Sequence, residues 1–233
     1  ASGKSNFALK LADKINGEII NADSMQVYKE LKILSARPEK KNYKKVKHHL
    51  YGFLNIKKNF STGQWLKLAL KKCQNGIVIL YDCDLPYFKY LTKLIDLLKK
   101  GENFVTIDRR ALDSKFDKSK LNLYQISRYL ISKCVNIIIS NLIVKNFKGD
   151  TQSGLKGFYI DKKFKKQKFI STKFFLDAEI ISYFTKKNVK ISSIPINYKI
   201  SKQSSIKILS LSNFIYLYEL IKIIIFGLVK FRN

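Results

Sequence analysis

Asp82 and Asp84 stand one residue apart in Tyr81-Asp82-Cys83-Asp84-Leu85-Pro86-Tyr87, directly after the apolar run Ile77-Val78-Ile79-Leu80. Two carboxylates at that spacing, at the end of a buried strand, put two oxygen ligands on one sheet edge. A divalent ion bridging a diphosphate can sit there. The chain opens on a different kind of chemistry, Gly3-Lys4-Ser5. A phosphate loop uses glycine for close backbone approach, Lys to reach phosphate oxygens and a Ser hydroxyl for magnesium, all at a helix N-terminus. Only the second half of such a loop is present, so the N-terminus reads as cut.

The elements that must hold these residues alternate in type. Apolar periodicity predicts a helix over 4–15, strands at 17–21 and 50–54, and a helix over 61–72 with Ser61 as its N-cap. Beyond them it predicts a strand at 77–81, a helix over 88–99, a strand at 103–108 and a long helix over 123–144. A turn-rich stretch at 150–159 leads into a short strand, followed by a helix over 174–186 and a strand over 189–200 carrying Pro195. Strands alternating with helices predict an α/β fold, a mostly parallel sheet flanked by helices. The last segment, 214–229, is almost wholly apolar but carries Glu219 and Lys222. Charges at the centre of a membrane span are costly, so this apolar helix reads as interfacial or docked rather than spanning.

With 45 Lys and Arg against 17 Asp and Glu, the 233-residue chain has a formal charge of +28. Such a surface attracts polyanions whatever the fold. Its arginines, however, are only Arg37, Arg109, Arg110, Arg128 and Arg232. Arginine is the residue suited to bidentate phosphate and base contacts, so the lysine excess reads as general bias above a dedicated nucleic-acid face. A hydrophobic content of 46% argues against a chain disordered overall. Cys73, Cys83 and Cys134 have no metal-ligand or redox spacing, which predicts a reduced, cytoplasmic setting. The adjacent His48 and His49 are assigned no catalytic role.

The run from Gly17 to Tyr28, then Ser35-Ala36-Arg37-Pro38, then His48-His49-Leu50 resembles, in order and spacing, the N-terminal part of tRNA dimethylallyltransferases. The resemblance covers residues 1 to about 70. It implies that Gly3, Lys4 and Ser5 bind the isoprenoid diphosphate with magnesium. It also implies that Asp23 is the general base for the exocyclic amine of a tRNA adenine, with Ser24 and Gln26 in substrate recognition.

A second set occurs in order further on: Gly76 to Tyr87, Asp108-Arg109-Arg110, the run Asp150 to Phe158, Phe174 to Ile180, and Ile194 to Tyr198. This set resembles family 2 glycosyltransferases of the polyprenyl-phosphate type over about residues 73–233, with Pro86 where Gln is common. It implies a nucleotide-diphospho-sugar-transferase-like fold and metal-dependent transfer of a sugar from a nucleotide-sugar to a polyprenyl-phosphate lipid. Asp82 and Asp84 would hold Mg2+ or Mn2+ and the donor diphosphate, and Arg109 or Arg110 would contact a phosphate. Asp150 would be the carboxylate at the reacting centre, with Gln152 beside it.

Together these resemblances predict a composite chain. Residues 1–72 would be a truncated P-loop-type α/β fragment and residues 73–233 a glycosyltransferase-like region without its first nucleotide-binding strands. Sugar transfer, peripheral at the inner face of an anionic membrane, is the leading expectation. Prenylation of tRNA from dimethylallyl diphosphate is the alternative, and a basic protein holding membranes or RNA by charge alone is the third reading.

Overall fold

The computed structural model describes residues 4–39, 43–74, 76–82, 87–117, 121–144, 147–171, 174–199 and 212–229. The chain divides into two compact units, Ala1–Gln74 and Asn75–Asn233.

The first unit contains α1 (Lys4–Ile15), β1 (Ile19–Ile20), β2 (His48–His49) and α2 (Thr62–Lys72). Helix α1 ends where Asn16 takes a positive φ of 51°, a conformation Asn tolerates better than most residues. Strands β1 and β2 pair in parallel, Ile19 opposite His48 and Ile20 opposite His49. The strand expected at 50–54 thus lies earlier, at His48–His49. Leu50 and Gly52, at φ 62° and 54°, break the extended run, and Leu54 makes only an isolated bridge to Tyr28. Helix α2 begins at a capping box: the Ser61 hydroxyl accepts from the Gln64 N–H at 3.2 Å, and the Gln64 side chain accepts from the Ser61 N–H at 2.9 Å.

The second unit runs β3 (Gly76–Tyr81), α3 (Phe88–Lys99), β4 (Phe104–Asp108), β5 (Lys115–Phe116), α4 (Leu123–Leu142), β6 (Leu155–Ile160), α5 (Lys162–Lys166), α6 (Leu176–Lys186), β7 (Ile191–Pro195), β8 (Asn197–Tyr198) and α7 (Ser212–Val229). Its four-stranded sheet has the order β3-β6-β4-β7. The α/β class is as expected, and one strand, β6, departs from the expected parallel direction. Strand β6 runs antiparallel to both neighbours, while β3, β4 and β7 all run in one direction. Every residue of β6 except Tyr159 is buried. A strand covered on both faces reads as the apolar run of a parallel sheet, and an apolar run carries no direction.

The reversed strand has a consequence for function. Because β6 is antiparallel to β4, it starts at the sheet edge where β4 ends, and β3 ends there too, with Tyr81 opposite Leu155. The residues after β3, after β4 and before β6 are therefore gathered on one edge. The single strand expected over 189–200 is two strands on different partners: β7 lies beside β4, and β8 pairs with β5. Pro195 closes β7, where its missing N–H interrupts no continuing ladder.

The core lies between the sheet and its helices. Helix α3 buries Leu91, Leu94 and Leu98, one face at helical spacing. Gly157 of β6 makes that close approach possible, since a Cβ there would lie 2.5 Å from Leu98 and 2.8 Å from Leu94. Phe104, Phe158, Phe164 and Phe184 pack ring to ring, with centroids 5.0–5.7 Å apart among their contacts. Among the described residues, no helix is long and apolar enough to cross a membrane.

Candidate functional sites

In the first unit the candidate base follows β1 on a tight turn. Asp23 is exposed. Its N–H donates to the Asn21 side-chain oxygen at 2.9 Å, and its carboxylate accepts from the Met25 N–H at 2.8 Å. A carboxylate that closes such a turn is held in one orientation by its own backbone. Ser24 is exposed beside it, and Gln26 is half-buried, donating from its side-chain amide to the Ser35 carbonyl at 2.9 Å. Ser5 lies in the first turn of α1, which carries no acidic residue. The N–H groups and the positive dipole end of a helix start favour an anion at such a place. Lys4 opens the helix. Gly3 and the Lys4 side chain lie outside the described residues.

Two residues without an assigned role organise this turn. Asn21, buried, donates from its amide to the carbonyls of Asp23 (3.1 Å) and Leu50 (3.0 Å), while its own carbonyl accepts from the Trp65 indole N–H at 2.6 Å. It thereby ties the Asp23 turn to β2 and α2. A polar residue closing the apolar strand Ile19-Ile20 is the only sign of this in the sequence. Arg37 donates to the carbonyls of Tyr28 and Lys29, its guanidinium occupying the space that a Cβ on Gly52 would need. His48 places Nδ1 2.6 Å from the Val46 carbonyl, and His49 Nε2 lies 2.7 Å from Glu18. The His49 hydrogen bond, aided by Lys47, holds the Glu18 carboxyl below its ordinary value.

In the second unit, the shared sheet edge gathers Asp82, Arg109, Arg110, Asp150 and Gln152. The Asp82 N–H donates to the Gly154 carbonyl at 2.7 Å, and its side chain is exposed. Asp84 lies outside the described residues. Asp150 is buried and accepts from Arg109 Nε and, at 3.1 Å, from Arg109 Nη2, which also reaches the Gln152 carbonyl at 3.2 Å. Arg109 is thus already committed to a fork on Asp150. Arg110 turns to α4, donating to the Ser132 hydroxyl at 2.8 Å and lying 5.7 Å over the Tyr129 ring.

The charges are set by these contacts. Burial acts to raise the Asp150 carboxyl, but the Arg109 guanidinium outweighs it and holds Asp150 below the usual carboxylate value. Burial also acts to lower Arg109, and its Asp150 partner raises it instead. Among the described residues no cation pairs with Asp108. Burial pushes its carboxyl up, partly offset by hydrogen bonds from the N–H groups of Arg110 (2.7 Å) and Asp150 (3.0 Å).

Asn136 of α4 is the residue that shapes this edge from behind. It donates to the Gly149 carbonyl at 3.1 Å and accepts from the Thr151 N–H at 2.9 Å and the Thr151 hydroxyl at 2.8 Å. Gly149 packs so tightly that a Cβ would lie 2.5 Å from the Asp108 carboxylate. Buried Lys156 of β6 pairs with Asp177 of α6 at 2.6 Å. Asn136 sits inside a long apolar stretch and Lys156 inside a chain full of lysines, so neither stands out in the sequence. Among the described residues, no group of three or more His, Cys, Asp or Glu side chains is placed to hold a metal ion.

A family model described as IPP transferase matches residues 26–107. The tRNA dimethylallyltransferase of Pelagibacter ubique is 69% identical over 75 residues, 32% of this chain and 24% of that protein. The one from Hyphomonas neptunium is 51% identical over 77 residues, again 32% and 24% of the two chains. The chain therefore spans about a quarter of the length of these relatives. A crystal structure of tRNA delta(2)-isopentenylpyrophosphate transferase from Staphylococcus epidermidis aligns over 97% of this chain and 66% of that one, at 16% identity and a TM-score of 0.30, too distant to carry an argument.

These matches correct the leading expectation. The relatives are prenyltransferases, and the matched stretch 26–107 contains Asp82 and Asp84, the pair read as a sugar-nucleotide metal site. Sugar transfer is overturned as the chain's function, and the nucleotide-sugar and polyprenyl-phosphate partners fall with it. A short D-x-D after an apolar run is common at strand ends, which is why it misleads.

Proposed function

We propose that this chain carries the donor-binding and proton-abstracting part of a tRNA dimethylallyltransferase site. The observation that carries the reading is the 69% identity over 75 residues to a protein of that activity. The exposed, turn-held Asp23 supports it. In the reaction the exocyclic nitrogen of a tRNA adenine attacks the allylic carbon of dimethylallyl diphosphate. A nitrogen–carbon bond forms, the carbon–oxygen bond to diphosphate breaks, and the proton lost from nitrogen passes to the Asp23 carboxylate. Ser24 and Gln26, on the same turn, face the adenine. Gly3, Lys4 and Ser5 cradle the leaving diphosphate at the start of α1, where the helix dipole favours its charge.

The donor set there, a serine hydroxyl beside diphosphate oxygens, is all oxygen and suits magnesium, which keeps several waters and binds through phosphates. Magnesium, when bound, neutralises charge building on the diphosphate.

The test is transfer of the dimethylallyl group to unmodified tRNA, together with calorimetric binding of dimethylallyl diphosphate. Asp23→Asn is expected to lower the transfer rate about 10²-fold or more while donor binding persists. Lys4→Ala is expected to abolish donor binding. A folded chain that neither binds the donor nor modifies tRNA overturns the proposal.

A further inference from the structure

Two helices of the second unit present rows of apolar residues on their outer faces. Helix α4 turns Gln125, Asn136 and Ile139 into the protein. Its Leu123, Leu130, Ile131, Ile137, Ile138 and Leu142 are instead between 39% and 85% exposed. At about 100° per residue, these six fall within an arc of roughly 140°, opposite the buried three. Arg128 and Lys133 border that arc on its two sides. Helix α7 also carries apolar residues outward, over a buried side that holds Leu220 and Ile223. Its one carboxylate, Glu219, is buried and accepts from the Ser171 hydroxyl at 3.0 Å and the Phe174 N–H at 2.9 Å. Phe214, Leu217, Tyr218, Ile221 and Ile225 face outward, between 46% and 71% exposed, with Lys222 beside them.

A helix bathed in water keeps its polar face outward. Rows of apolar residues on an outer face call for an apolar medium there, and the charge of the chain decides which. A second copy brings the same +28 and is repelled. An RNA strand pairs with cations and stacks on aromatic rings, but offers nothing to bury a row of leucines and isoleucines. An anionic bilayer supplies acyl chains for the apolar arcs and negative headgroups for the bordering cations. We infer that the outward faces of α4 and α7 are a docking surface for anionic lipid, on which the helices lie in the interface without spanning it. The inference is independent of the prenyl-transfer reading, because it rests on residues outside that site.

Vesicle flotation tests it, using phosphatidylcholine with and without phosphatidylglycerol. The chain is expected to float with the anionic vesicles. The pairs Leu130→Glu with Ile137→Glu, and Leu217→Glu with Ile221→Glu, are each expected to cut the bound fraction about tenfold. Each pair lowers the formal charge of +28 by only two, so adsorption by charge alone would barely change. A readout that does not depend on those variants uses exposed Cys134, which lies within the α4 arc. With Cys73→Ser and Cys83→Ser in place, an environment-sensitive fluorophore on Cys134 is expected to shift to the blue on anionic vesicles. Flotation unchanged by both glutamate pairs overturns the inference, as does an unshifted fluorophore. So does a dimer, seen by light scattering, that the glutamate pairs dissociate while vesicles do not bind.

Discussion

Asp150 and Asp108 are neighbours in space, both buried, and their environments push them in opposite directions. The folded Asp150 releases its proton more readily than the unfolded chain does, because Arg109 is there. Its stabilising pair is intact above the ordinary carboxylate range and is lost as pH falls through its lowered value. Asp108 works the other way: burial raises it, so its charge costs stability at neutral pH and that cost is relieved on acidification. Removing one member of a buried pair leaves an uncompensated charge, so Arg109→Ala is expected to cost about 3 kcal/mol at neutral pH. The deficit should shrink towards pH 4, where Asp150 can protonate. Urea unfolding at the two pH values checks this, and an equal deficit at both would show that Arg109 acts through packing instead.

At the scale of elements, α4 is defined by the polar residues it turns inward. Asn136 completes the hydrogen bonding of the Gly149–Thr151 turn, and that turn sets where Asp150 stands. Asn136→Ala leaves the Thr151 N–H and the Gly149 carbonyl without a partner in the interior, at a cost of about 1–3 kcal/mol. The loss should appear as a lower urea midpoint, with helix content by circular dichroism unchanged because the Asn122 and Gln125 capping box is untouched. The antiparallel entry of β6 is the other decision at this scale. The connection from β4 to β6 contains a helix, as a parallel crossover would, yet it begins and ends on one sheet edge. That return brings residues 108–110 beside residues 150–152.

At the scale of the molecule, the chain has two compact units. Its single tryptophan, Trp65, belongs to the first, hydrogen-bonded to the strand end that carries the Asp23 turn. Trp65 fluorescence is therefore expected to follow unfolding of the first unit, whereas circular dichroism follows both. Arg109→Ala should move the dichroism transition and leave the fluorescence midpoint in place. A common shift of both signals would mean that the units unfold as one.

Much of this protein was legible in its residues. Local signals with a mechanism carried through: the Ser61 cap of α2, the leucine face of α3, the apolar run of β3 and the ordered motif around Asp23. These depend on neighbours a few residues apart, which a sequence displays directly. Strand direction in the sheet, the breaking of 189–200 between two partners and the Arg109 fork on Asp150 depend on residues far apart in the chain. So does the outward turn of the apolar faces of α4 and α7, since periodicity shows that a helix has an apolar stripe but not which way it points. Burial belongs to the packed chain, and only the tertiary structure assigns it.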